Sequence, residues 1–443
     1  MQPGVLLTDL YELTMLEAYF AEGMNAVAAF ELFVRKLPEG RNFLIAAGLT
    51  QAVEYLLTLR FTDQDRDWLA RSGRFRQPFI DSLADLRFTG DLDAVPEGTA
   101  IFADEPILRV VAPLREAQLV ETRLMNIVHF QTVVASKAAR CGLAAPGKLL
   151  VDFGLRRAHG AEAGLFSARA SYLAGFAGTA TVEAARMFGI PAYGTMAHSY
   201  IQAHRSEDAA FEAFARAHRD SAVLLIDTYD TERAAHKVVA LQRRLSSEGV
   251  AIRGVRIDSG DLGEHAVRVR RILDDAGMQA ATIFASGSLD EFRLRELLWR
   301  GAPIDGFGVG TRMNTSADAP YLDCAYKLEE YDGRARRKRS EGKATWPGRK
   351  QVWRSHGADG RFSEDAVTLH DEPGPGVPLL RPVLRRGGLV APLPSLAESR
   401  DHAQHQLAAL PEPLRALDPA PAYVVRISPR LEALAREVDA AAG

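Results

Sequence analysis

The chain has 443 residues, 47% of them hydrophobic and 25% charged, and a formal net charge of −3. That balance describes an ordinary globular protein with a large core and gives no reason to expect nucleic acid or an anionic membrane as a general partner. The length is about three times that of a typical domain, so one large domain with satellites, or two to three domains, is expected.

At the N-terminus no basic region precedes the first apolar residues, and Asp9, Glu12 and Glu17 interrupt them, so no targeting signal is expected. Asp9 followed by Glu12 reads as a capping pair for a helix through Phe20. Residues 28–34 are β-prone, residues 95–112 read as short strands broken by turns, and a long helix is expected over 115–140. No stretch reaches 18 apolar residues free of charge, so no transmembrane helix is expected and the cytoplasm is the default location. Two cysteines, Cys141 and Cys324, are too few for a disulfide framework and suit a reducing compartment.

The middle of the chain changes character. Short apolar runs end in polar or small residues at 152, 194, 227, 258, 286 and 308, and helical patterns fill the gaps. Ser206 and Ser288 read as helix starts, the latter with Glu291 as a capping box, and Gly189 as a helix stop. Repeated strand–helix units with buried strands mean a parallel sheet. Polar residues at every strand end favour an irregular or incomplete (β/α) barrel over an open doubly wound sheet, although periodicity alone does not separate them. After residue 325 the pattern is again irregular α+β, Lys/Arg-rich over 333–354, with a last helix near 431–438. The expected plan is an N-terminal α+β part (1–143), a barrel (144–324) and a C-terminal part (325–443) that packs with the first.

Several strand ends carry chemistry. In Asp152-Phe153-Gly154-Leu155-Arg156-Arg157, two adjacent guanidiniums suit a phosphate or carboxylate, or form a surface pair. In Gly194-Thr195-Met196-Ala197-His198-Ser199 the histidine is an acid/base, a covalent phosphate carrier, or structural. Asp227 to Thr231 and Arg256 to Asp261 offer carboxylates for ribose hydroxyls or a hydrated magnesium ion, while Asp230 and Asp261 suit helix caps equally well. Ala285 to Ser288 and Gly308 to Arg312 are small-residue turns where backbone N–H groups can approach a phosphate. The set suits a phosphorylated sugar better than a dinucleotide and leaves the reaction open.

These motifs, in this order, resemble the nicotinate phosphoribosyltransferase family. Leu6 to Met15, Phe153 to Gly160, Gly194 to Ser199, Asp227 to Thr231, Asp258 to Leu262, Phe307 to Thr311 and Pro347 to Val352 carry the likeness. The resemblance implies an irregular (β/α) barrel of the type II phosphoribosyltransferase kind, with an α+β domain built from both chain ends. It implies that nicotinate and phosphoribosyl pyrophosphate give nicotinate mononucleotide and pyrophosphate, with Mg2+ as cofactor and ATP as co-substrate, in NAD salvage by a homodimer with shared sites.

By the same resemblance His198 is the phosphohistidine and, with Asp258 and Arg156, catalytic. Tyr11 from a neighbouring subunit and Phe176 sandwich the pyridine ring. Arg157, Thr195, Ser199 and Asp227 bind substrate, and Ser286, Gly287, Gly308, Gly310 and Thr311 bind the 5′-phosphate.

Ser288 departs from the Ser-Gly-Asp of many relatives, which weakens any role for that side chain. The cysteine-rich metal knuckle of some forms is not matched, so no structural zinc is expected, and no side chain is assigned as a metal ligand. Two rivals remain. One is a nicotinamide phosphoribosyltransferase, which the Arg156-Arg157 pair disfavours. The other is a catalytically silent regulatory homologue using the basic run Arg334 to Arg339.

Overall fold

Six strands form one parallel sheet: β1 (Leu149–Asp152), β2 (Gly178–Thr179), β3 (Ala222–Leu225), β4 (Ile252–Ile257), β5 (Thr282–Ser286) and β6 (Gly306–Val309). Hydrogen-bonded neighbours run β2-β1-β6-β5-β4-β3. Read as a circle this is chain order, and the circle closes where the last strand meets the first, with Gly306 opposite Leu149 and Val309 opposite Asp152. Ala192 bridges to Thr179 beyond β2, and among the described residues no ladder joins that segment to β3. The sheet is therefore an incomplete (β/α) barrel, open on one side. Its strands are apolar on both faces because helices cover the outside and side chains fill the inside.

The structure, a computed structural model, describes residues 4–441. The chain divides into two compact units, Lys137–Pro320 and Met1–Ser136 with Tyr321–Gly443.

In the barrel unit, local chemistry starts and stops the helices. The side chains of Ser206, Asp230, Asp261 and Asp290 accept N–H bonds in the first turns of Glu207–Ala217, Thr231–Leu245, Leu262–Asp275 and Glu291–Trp299. Gly189 ends its helix in the left-handed conformation, φ +66°. Two readings need correction. Ser288 is not a cap: it is itself left-handed (φ 50°), and Asp290 takes that role. The run from Ile190 to Gly194 contributes a single bridge rather than a strand, while the two-residue β2 was not legible at all.

The other unit holds a seven-stranded antiparallel sheet drawn from both chain ends. Within it Val27–Val34 is flanked by Pro106–Pro113, the central strand, and by Cys324–Tyr331. Helix Leu10–Glu22 begins after Asp9, but Asp9 makes no side-chain cap; its carboxylate accepts from Thr122 at 3.0 Å instead, and Glu12 is held by Gln118 at 2.9 Å. The long helix is two, Leu114–Leu119 and Glu121–Ala144. In the basic stretch Arg349 pairs with Glu330 at 2.6 Å, Lys350 with Glu31 at 2.9 Å and Arg337 with Asp439 at 3.3 Å. No helix among the described residues is long and apolar enough to cross a membrane.

Candidate active site

The carboxyl ends of the barrel strands gather the polar groups, as parallel barrels do. Asp152 ends β1, Ser286 ends β5, Asp258 follows β4 directly, Asp227 lies two residues past β3 and Gly310 one past β6. Thr195 and His198 follow the Ala192 bridge.

Asp258 is the hub. Its Oδ1 accepts from the Ser286 hydroxyl, its backbone N–H donates to Asp227 Oδ2 at 3.1 Å, and Asp227 Oδ2 also accepts from Ser259 at 2.5 Å. His198 Nε2 stands 4.0 Å from Asp258 Oδ2, and His198 Nδ1 lies 3.0 Å from the Thr228 hydroxyl. A bond at one ring nitrogen orients the imidazole and leaves the other for chemistry. The side chains of His198 and Asp258 are 39% and 35% exposed, so both remain reachable from solvent.

Arg256, on β4, is a member of the site that the sequence pattern does not single out. Its guanidinium donates to Thr195 Oγ1 at 2.7 Å, sits 4.0 Å from Asp258 Oδ1 and lies over the Phe153 ring at 5.9 Å. Burial lowers its pKa; Asp258 and Asp227 oppose that, and Arg156 adds to it. Its Nε is buried with no hydrogen-bond partner among the described residues, and so is Asp227 Oδ1. Buried polar atoms without partners are costly, and a pair of opposite sign facing one mouth fits a charged ligand. The available signal was an arginine between Val255 and Ile257, in a strand that also carries Arg253.

The arginine and glycine motifs supply the rest. Asp152 is fully buried; its oxygens accept from Gly154 N–H and Thr179 Oγ1, both at 2.8 Å, and burial raises its pKa to about 6. It holds the turn that carries Arg156 and Arg157, which are exposed. Arg157 donates to Thr311 at 3.0 Å and so ties that turn to the one after β6. Gly287 has φ +98°, and a Cβ there would lie 2.2 Å from the Asp258 carbonyl oxygen; a Cβ on Gly308 would lie 2.5 Å from the Phe153 ring, and one on Gly310 2.9 Å from the Phe153 carbonyl. These glycines let strand ends meet closely at the mouth.

Asp230 and Asp261 turn out to be caps, as one of their two readings held. Ser199 is exposed in the short helix His198–Gln202. Phe176 is wholly buried, and Tyr11 lies in the other unit, 45% exposed. Neither joins the network around Asp258. No group of three or more His, Cys, Asp or Glu residues with metal-binding geometry occurs among the described residues.

Matches to known proteins run along nearly the whole chain. Family models match residues 6–129 (nicotinate phosphoribosyltransferase N-terminal domain), 149–342 (nicotinate phosphoribosyltransferase family) and 376–435 (C-terminal domain). A nicotinate phosphoribosyltransferase of Mycobacterium tuberculosis is 51% identical over 432 residues, 97% of this chain and 92% of its own. The chain belongs to the nicotinate phosphoribosyltransferase family. A Bacillus subtilis relative of the same name is 40% identical, covering 83% of this chain and 76% of its own. The crystal structure of human nicotinic acid phosphoribosyltransferase superposes with a TM-score of 0.87 at 32% identity, covering 98% of this chain and all of that one. The expected family and the barrel fold are thus both found.

Proposed function

We propose that the enzyme joins nicotinate to phosphoribosyl pyrophosphate, giving nicotinate mononucleotide and pyrophosphate for NAD salvage, and that ATP hydrolysis is coupled to it through His198. The observation that carries this reading is the network Ser286–Asp258–His198 beside Arg256 at one barrel mouth.

In the glycosyl step the bond from the anomeric carbon to pyrophosphate breaks, its electron pair leaving on oxygen, and the pyridine nitrogen's lone pair forms the new bond. Positive charge grows on the sugar and negative charge on the leaving group. Asp258 and Asp227 stand at the sugar side, where carboxylates stabilise the cation. Arg256 stands where a fixed cation meets the leaving oxygens. Arg156, exposed on its turn, reads the nicotinate carboxylate, and Arg157 with the Gly308–Thr311 turn holds the 5′-phosphate.

The unpartnered Asp227 oxygen beside Asp258 fits a hydrated magnesium ion, which when bound neutralises part of the pyrophosphate charge. In the coupling step a His198 ring nitrogen bonds to the terminal phosphorus of ATP, ADP departs with the bridging oxygen, and water later takes the phosphoryl group as phosphate. The same reading takes the enzyme as a cytoplasmic homodimer in which Tyr11 of one subunit and Phe176 of its partner flank the pyridine; the buried Phe176 ring would then have to be uncovered for binding.

Product analysis with nicotinate or nicotinamide, phosphoribosyl pyrophosphate and magnesium, with and without ATP, is the test. Nicotinate mononucleotide is the expected product; preference for nicotinamide would overturn the substrate. His198→Ala is expected to abolish acid-labile labelling from γ-labelled ATP while keeping some ATP-independent turnover, and persistent labelling would move the carrier elsewhere.

A further inference from the structure

A cavity of about 580 Å³ opens in the unit formed by the chain ends, apart from the network around Asp258. One wall is strand Arg381–Arg385 with the proline-containing segment 391–394; the other is residues 94–97 and the start of helix Leu396–Ala409. Ala94, Pro96, Pro382, Val383, Pro392 and Leu393 make most of the lining apolar. The volume falls in the range that holds small organic ligands, and prolines give the wall a backbone with little entropy to lose.

The polar groups are few, and most are already committed. Glu97 accepts from the Gly48 N–H at 2.6 Å and the Thr50 hydroxyl at 2.8 Å. Glu398 accepts from Ser395 N–H and Oγ, both at 2.8 Å, at the positive end of its helix. His402 lies 3.1 Å from the Thr99 hydroxyl. Arg381 is the exception: exposed on its strand, it lines the cavity and has no ion pair or side-chain hydrogen bond among the described residues. Its charge also reaches His402, whose pKa is lowered by burial first and then by Arg381, His405 and Arg354. Beside the lining residues Glu97 and Ser399, Gly98 (φ +89°) packs so closely that a Cβ would lie 2.6 Å from the Ser399 carbonyl oxygen. An apolar chamber with one uncommitted guanidinium recognises an apolar body bearing one anionic head.

We propose that this cavity is a second ligand site, for a small amphipathic monoanion whose head pairs with Arg381 and whose apolar body lies against Pro96, Val383 and Leu393. The probe is 1-naphthoate, followed by its fluorescence on the full-length enzyme with nicotinate mononucleotide saturating, a blocker of the barrel mouth that is too large and too highly charged to count as a small amphipathic monoanion.

One bound naphthoate per chain is expected. Arg381→Ala should weaken it at least ~10-fold, the scale of a lost charge-assisted hydrogen bond. Ala391→Trp, which adds bulk to the exposed wall, should abolish it, and both variants should keep wild-type turnover, which certifies their fold. Neutral 1-naphthalenemethanol should bind ~10-fold more weakly than the acid, and excess inorganic phosphate should not displace naphthoate. No binding with nicotinate mononucleotide present, binding untouched by both substitutions, equal binding of the alcohol, or displacement by phosphate would each overturn the proposal.

Discussion

Gly287 sits where a side chain has no room, with φ +98° and the Asp258 carbonyl oxygen 2.2 Å from where a Cβ would be. Gly287→Ala must therefore shift the backbone of Asp258, the residue on which the network depends. A displacement near 1 Å at a reacting centre costs about 10²-fold. A fall of that size in kcat/KM for phosphoribosyl pyrophosphate, with the fold intact by circular dichroism, is the expected result; near wild-type kinetics would show that the turn carries no ligand. The Thr228 hydroxyl lies 3.0 Å from His198 Nδ1, so under the proposed function its effect is expected to pass through His198. Thr228→Val keeps the shape and removes that bond, worth about 1 kcal/mol or roughly fivefold. Phosphohistidine formation in rapid quench should slow by that factor, and ATP-independent turnover should not change. Histidine 198 alone was an ambiguous signal in the sequence, because nothing local distinguishes a carrier from a structural imidazole. Arg256 was missed for a related reason: strand periodicity cannot tell which arginine of a barrel strand faces the mouth.

At the level of elements, the helices of the barrel unit were the most legible feature, because their starts rest on local hydrogen bonds that a short sequence encodes. Ser206 is a cap in both sequence and structure. Ser288 misled because Asp290, two residues later, competes for the same role and wins, with its side chain accepting from Arg293 N–H at 2.9 Å. Strand ends were legible where apolar runs met aspartate, at Asp152 and Asp258, and illegible for Gly178–Thr179, two residues long and without a run. Asp227 and Asp230 separate cleanly by element: the first lies in the mouth, the second accepts from Arg233 N–H at 2.8 Å as a cap. Asp230→Ala should cost ~1 kcal/mol of stability, lowering the barrel unit's melting temperature by about 2–4 °C. Steady-state constants measured beside that scan should stay at wild type; a large loss of kcat would give Asp230 a place in the chemistry.

The whole chain closes two sheets by different logic. The barrel is written in chain order, strand after strand, which is why a parallel sheet of strand–helix units was legible from spacing, while the choice of a barrel over an open sheet rested on the polar strand ends and the family resemblance. The antiparallel sheet pairs Val27–Val34 with Cys324–Tyr331, a separation that no local pattern reports. Joining distant segments there buries charge: Glu31 and Glu329 share Lys350, whose Nζ lies 2.9 Å from one carboxylate and 3.8 Å from the other. One lysine does not satisfy two buried carboxylates, and Glu329 Oε1 has no partner among the described residues. Burial, with Glu31 adding to it and Lys350 opposing, raises the Glu329 pKa from 4.5 to about 8. The folded state thus holds a proton that the unfolded chain releases near 4.5. Stability from this group is full below that pH and is lost as pH rises toward 8. Glu329→Gln keeps the shape and removes the titration. Calorimetric scans of the two proteins should nearly coincide at pH 5, separate progressively as pH rises to 8 and stay apart by a constant amount above it, the variant melting higher by an amount reflecting a few kcal/mol at most. Parallel curves across that range would mean that Glu329 keeps its charge throughout, with Lys350 satisfying both carboxylates after all.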